Sequence, residues 1–233
     1  MTLAFRTVKL AFGDFFEEVF WLVAFNIVWC LALAMGVLPL AALGLAALPL
    51  AALSAAALPL ATAGLTWLAA EIGQGKAIGW RTFVTGARRH WKPAYFWFAA
   101  NLVAWGVIWL NVSFYGGQSA QWAAILMMVF FVAALWWAGM QLYVFPFLYV
   151  QEQSSLRTAY RNSIILLLSR PALTFTLLVV VAILLAISFF LTFPAFFFLF
   201  AMLAVLGNRA VIETIKLTEG EDAQAPGSAS PRR

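Results

Sequence analysis

The chain has 233 residues, 65% of them hydrophobic and only 10% charged, with a mean hydropathy of +0.95. A soluble domain carries about 25% charged residues, so this composition excludes an ordinary water-soluble fold and predicts an all-α, polytopic transmembrane helix bundle. Fourteen Lys and Arg against nine Asp and Glu give a net charge of +5; because the basic residues are scattered between apolar stretches, they suit a bilayer with anionic headgroups and not nucleic acid.

Residues 1–18 are predicted to form an N-terminal interfacial amphipathic segment, with Val8, Phe12, Phe15, Phe16 and Val19 opposite Lys9, Gly13 and Glu17. The head is too long and, with Asp14, Glu17 and Glu18, too acidic for a signal-peptide n-region, so the first apolar segment is expected to be an uncleaved span. A transmembrane domain is predicted over residues 19–217. Within it, residues 19–70, 93–151 and 171–208 carry no Asp, Glu, Lys or Arg, giving runs of 52, 59 and 38 residues. About 20 helical residues cross the hydrocarbon core. Each run therefore holds two spans, and three hairpins give about six: 19–37, 50–70, 94–110, 122–147, 172–191 and 194–212. The expected turns lie at Pro39 and Pro49, at 111–121 around Gly116-Gly117, and at 192–194.

Asn26 lies in the first span, and the single Cys30 is expected to be a buried, inert thiol; it excludes an intrachain disulfide framework and any multi-cysteine metal site. Leu-Pro-Leu-Ala recurs at period ten from Leu38, Leu48 and Leu58. Proline inside a helix removes a backbone hydrogen bond, so this stretch reads either as a turn followed by a kinked span or as a broken helix lining a cavity. The second reading makes Asn26, Pro49, Pro59, Thr62 and Asn101 candidates for a path or for helix packing. Ser54, Thr66, Gln141, Thr174, Thr176 and Ser188 are expected to bond between helices.

After the second span, Gly73-Gln74-Gly75-Lys76 lacks P-loop spacing and reads as a flexible exit. Next comes a linker in which Trp80, Phe83, Val84, Ala87 and Trp91 fall on one helical face and Arg81, Thr85, Arg88 and Lys92 on the other. His90, beside Arg89 and Lys92, is disfavoured as a cation by its neighbours. The later linker repeats the pattern, with Leu156, Tyr160, Ser163, Ile164 and Leu167 opposite Arg157 and Arg161, and Ser154 or Ser155 as N-cap. Such helices lie at headgroup level. Trp80, Arg81, Arg88, Arg89, Trp91, Lys92, Arg157 and Arg161 are the residues expected to contact lipid or a partner. The tail, 218–233, is expected to be disordered.

All fourteen basic residues fall on one side of this layout, which the positive-inside rule makes cytoplasmic, with both termini there. No ionisable group is expected deep within a span, and Glu71, Glu152 and Glu213 are expected to be solvated at helix ends. The chain has no His-Glu-x-x-His and no hydrolase constellation, so neither enzyme activity nor a cofactor or metal is predicted.

Asn26-Ile27-Val28-Trp29, Pro59 to Leu65, Phe83 through Trp91-Lys92-Pro93, Tyr160-Arg161-Asn162-Ser163 with Arg170-Pro171, and Phe193-Pro194 together resemble the YesL-like family of bacterial integral membrane proteins of unknown function. The likeness extends to about Gly207, although Leu58-Pro59-Leu60-Ala61-Thr62-Ala63 departs from that family's usual Gly-Pro-Ala-Thr-Ala-Ala. It implies a bacterial cytoplasmic (inner) membrane location and a role linked to carbohydrate uptake. The function expected is a non-enzymatic accessory or scaffold component contacting another membrane complex such as a solute importer. A small permease or channel beside the second helix is the alternative.

Overall fold

A computed structural model describes residues 2–151, 155–191 and 194–224. Among them the chain is helical, without strands: α1 (Leu3–Glu17), α2 (Val19–Leu43), α3 (Leu48–Gly73), α4 (Trp80–Arg89), α5 (Trp91–Gly116), α6 (Gln121–Val150), α7 (Leu156–Ser169), α8 (Pro171–Leu191) and α9 (Phe200–Gln224). Five helical stretches are long and apolar enough to cross a membrane: Val19–Gly73, Trp91–Gly116, Gln121–Val150, Pro171–Leu191 and Phe196–Glu219.

The first of these is 55 residues long and contains both α2 and α3, joined by one 3-10 turn at Gly44–Ala47. Gly44, at φ 56°, makes the reversal in a backbone region that L side chains rarely enter. The two helices then pack along each other. Ser54 Oγ donates to the Ala32 carbonyl at 2.6 Å, and a Cβ on Gly36 would meet the Ser54 side chain at 2.6 Å.

The turn falls between Pro39 and Pro49, as expected, although neither proline makes the reversal. Pro39 lies inside the end of α2, and Pro49 is exposed in the first turn of α3, where a missing N–H costs no intrahelical bond. Pro59 is inside α3, which continues through it, so this helix is not broken. In the second hairpin α5 extends to Gly116, and the turn shrinks to Gly117–Ala120. Thr192 and Phe193, in the third expected turn, lie outside the described residues; beyond them Ala195–Leu199 form one π-helical turn leading into α9. Helix α9 runs to Gln224, past the expected end of the last span at 212 and into the first residues of the tail expected to be disordered; residues 225–233 lie outside the description.

Helix α9 is the centre of the bundle. Of its most apolar window 56% is buried, against 0% for α5. It packs on α1, α3 and α6. Backbone approaches backbone at Gly207, where a Cβ would run into the Leu142 carbonyl oxygen of α6; small residues give membrane helices this close contact. Leu22, Leu68, Tyr143, Leu177, Leu206 and Val211 fill the core around it.

Helix α1 divides its apolar residues between two faces. Thr7, Ala11, Asp14 and Phe15 are buried, whereas Phe12, Phe16 and Val19 are exposed. The reason is ionic. Arg209 on α9 holds Asp14, and Glu213 pairs with Arg6 at 2.8 Å and with Lys216 at 3.4 Å. Glu213 is only 2% exposed, which corrects the expectation that it is a solvated helix end.

In the linker helix α4, Phe83 stacks on Phe25 at 4.2 Å and Gly86 packs against Trp67, while Trp80 is exposed, as is Trp91 at the start of α5. In α7 Ala159, Ser163, Leu166 and Leu167 are buried, Ile164 is exposed, and the Ser155 side chain caps the helix by accepting from Thr158 N; Ser154 lies outside the described residues. The Gly73–Lys76 exit is ordered. With Gly75 at φ 73°, Gly75 N–H donates to Ile72 O and Lys76 N–H to Glu71 O, a Schellman cap, and the Lys76 ammonium pairs with Glu71 at 3.0 Å.

Candidate functional site

A cavity of about 840 Å³ lies between α2, α3, α5, α6, α8 and α9. Its wall is apolar and rich in aromatic rings, including Trp29, Trp97, Trp105, Trp109, Phe145 and Phe200. Leu102 and Trp109 belong both to this wall and to the outer surface, at 60% and 68% exposure, so the cavity opens sideways beside α5.

The amides and hydroxyls of the wall are engaged within the protein. Trp29 Nε1 donates to Thr62 Oγ1 at 2.8 Å, and Thr62 in turn donates to the Leu58 carbonyl. Across α5 and α6 the bonding is reciprocal: Trp97 Nε1 donates to Gln141 Oε1 at 2.7 Å, and Trp137 Nε1 to Asn101 Oδ1 at 3.0 Å. Asn101 Nδ2 also reaches Gln141 Oε1 at 3.2 Å. Deeper in the bundle the Thr66 and Tyr149 hydroxyls lie 2.7 Å apart. Such closed networks remove the cost of burying amides and hydroxyls away from water.

The five path candidates do not converge. Thr62 and Asn101 line the cavity. Asn26 is fully buried elsewhere, where its amide donates to Phe196 O at 2.7 Å and accepts from Ala201 N at 2.9 Å, bracketing the π-helical turn. Pro59 is buried in α3, and Pro49 is exposed near the Gly44–Ala47 turn.

The basic candidates form an aromatic corner at the α4–α5 junction. The Arg81 guanidinium sits 5.5 Å from the Trp80 ring centre, the Arg89 guanidinium 5.5 Å from that of Trp67, and Lys92 Nζ 5.4 Å from that of Trp91. Arg88 is exposed beside them, and Arg157 and Arg161 are exposed on α7. Under this corner His90 is buried between Trp67 and Tyr149. Burial, and secondarily Arg89, push its imidazole down to about 4, so it is neutral near pH 7. On α7, burial pushes the Tyr160 hydroxyl up to about 12, and its ring stacks on Trp137.

Residue patterns missed two parts of this arrangement. The Trp97–Asn101 and Trp137–Gln141 pairs share a four-residue spacing, a helical signal that both pairs face the same way along α5 and α6. The Asp14–Arg209 and Arg6–Glu213 pairs carry no local signal at all. Chemically, the cavity wall holds no acid, base or activated nucleophile, and no group of three His, Cys, Asp or Glu side chains is placed to hold a metal among the described residues. No family model matches the chain, and neither a curated protein nor a solved structure matches it significantly.

Proposed function

We propose that this is a six-span protein of the bacterial cytoplasmic membrane, with both termini cytoplasmic, acting without catalysis as an accessory or scaffold component of another membrane complex. Six crossings are supported by the division of the 55-residue stretch into α2 and α3, each long enough to span. Orientation rests on the basic residues, and α4 and α7 are read as headgroup-level helices, with Arg81 and Arg89 of α4 beside indole rings and Arg157 and Arg161 of α7 exposed. The link to carbohydrate uptake rests on the YesL-like resemblance alone.

The observation that carries the accessory reading is the state of α5. None of its most apolar window is buried, although it carries Asn101 and several indoles, and its main packing is against α3 and α6. Its free flank offers Val103 and Leu110 to the spans of a partner, next to the basic corner at its start. A photo-crosslinking residue at Val103 or Leu110, activated in native membranes, is expected to give a discrete protein adduct. Recovery of the uncrosslinked chain alone from both positions counts against a partner.

The permease alternative keeps one support, the shared cavity of Thr62 and Asn101. Reconstituted liposomes assayed with sugars and small ions test it, and uniform absence of flux ends it.

A further inference from the structure

We propose that the cavity beside α5 is a lipid site that holds one hydrocarbon chain of an anionic membrane phospholipid, with the headgroup at the Trp91–Lys92 corner. The inference concerns the cavity itself and stands whether or not the accessory role is right.

Three observations lead there. First, the cavity wall is apolar, and its amides and hydroxyls, those of Thr62, Thr66, Asn101 and Gln141, are already bonded within the protein, so what it mainly offers a guest is apolar surface. Second, the opening lies between residues that face the bilayer, Leu102 and Trp109, so the molecules at the mouth are lipid chains.

Third, the dimensions and the charge agree. The lining residues on α5 run from Trp97 to Trp109, about 18 Å at 1.5 Å per residue. One leaflet of the hydrocarbon core is about 15 Å deep. Trp91, Phe98 and Trp105 recur at a seven-residue spacing and share one face of α5, which places Trp91 at the charged end of the lining stripe. There Lys92 Nζ sits over the Trp91 ring at 5.4 Å, with Arg88 and Arg89 just before it. An ammonium on an exposed indole at headgroup depth attracts a phosphate. A chain of one-leaflet length inside and an anion at the basic end describe a single phospholipid.

Gly106 provides the test, because it lines the cavity and a Cβ there meets nothing within 4 Å. A phenyl group at this position enters the space without disturbing the helix. Gly13, on α1 and equally open, is the control. Native mass spectrometry after extensive detergent washing is expected to find one anionic phospholipid retained on the unaltered protein and on Gly13→Phe. Occupancy on Gly106→Phe is expected to fall about tenfold. A lipid-free unaltered protein, equal retention by Gly106→Phe, or a retained isoprenoid or uncharged lipid in place of the phospholipid overturns the proposal. Should Gly106→Phe fail to fold, spin-labelled anionic phospholipid added to the unaltered protein decides: one strongly immobilised chain per protein supports the site, and none refutes it.

Discussion

The Arg209 guanidinium grips both carboxylate oxygens of Asp14, 195 positions away in the chain, through Nε and through Nη2, the latter at 2.6 Å. This bidentate pair ties α1 to the central helix, and Arg6 with Glu213 ties it a second time. Removing one partner of a buried pair strands the other charge, at a cost of about 3–5 kcal/mol. Asp14→Ala and Arg209→Ala should each lower the thermal midpoint in detergent markedly. The double variant should lose clearly less than the sum of the two. Strict additivity would show that the pair is not coupled.

The Asn26 side chain does for α2 what Arg209 does for α1. By donating to Phe196 O and accepting from Ala201 N it serves a carbonyl within the π-helical turn and an amide just past it. Asn26→Ala leaves them buried without that partner, at about 1–3 kcal/mol. Hydrogen exchange should accelerate at Ala201 while the amides of α6 stay protected. Unchanged exchange at Ala201 would mean that the turn holds itself.

Two helical glycines should respond oppositely to the same change. A methyl group at Gly207 collides with the Leu142 carbonyl, whereas one at Gly106 meets open space. Gly207→Ala should destabilise by about 1–3 kcal/mol, and Gly106→Ala should be tolerated. Equal midpoints for the two variants would contradict the close α6–α9 crossing.

His90 predicts a pH dependence. Its imidazole falls from an ordinary 6.5 to about 4 on folding, so between those values the unfolded chain binds more protons than the folded one. Its contribution to stability is intact above about pH 6.5 and is lost as the pH drops toward 4. His90→Phe, which keeps a ring between Trp67 and Tyr149, should flatten the fall of the thermal midpoint across that window. Parallel profiles for the two proteins would refute the assignment.

The amino-acid pattern revealed the apolar helices because hydropathy is local: charge-free runs and turn residues place them within a few residues. It bracketed the first turn between Pro39 and Pro49 but did not single out Gly44, whose positive φ makes the reversal. Nor did it show which face of α1 meets the bundle: that face carries Asp14, held by Arg209, while Phe12 and Phe16 stay on the outside. Of the cavity, Thr62 and Asn101 were legible as polar residues within spans. The indoles that donate to them and to Gln141 were not, because Trp29, Trp97 and Trp137 read equally well as interfacial anchors. Which helix faces meet is a long-range property that one helix's periodicity cannot carry.

The central claim is a six-crossing layout with both ends cytoplasmic, and cysteine labelling in intact cells addresses it directly. Cys30 is buried and can be replaced by Ala as background. Gly86 is unsuitable as a reporter because a side chain there strikes Trp67, so exposed Gln74 reports on the loop after α3. With an impermeant maleimide added outside, Gly116→Cys should label, whereas Thr2→Cys, Gln74→Cys and Thr218→Cys should label only after the membrane is opened. External labelling of Thr218→Cys with Thr2→Cys protected would mean an odd number of crossings, and labelling of Gln74→Cys with Gly116→Cys protected would invert the protein; either result contradicts the account.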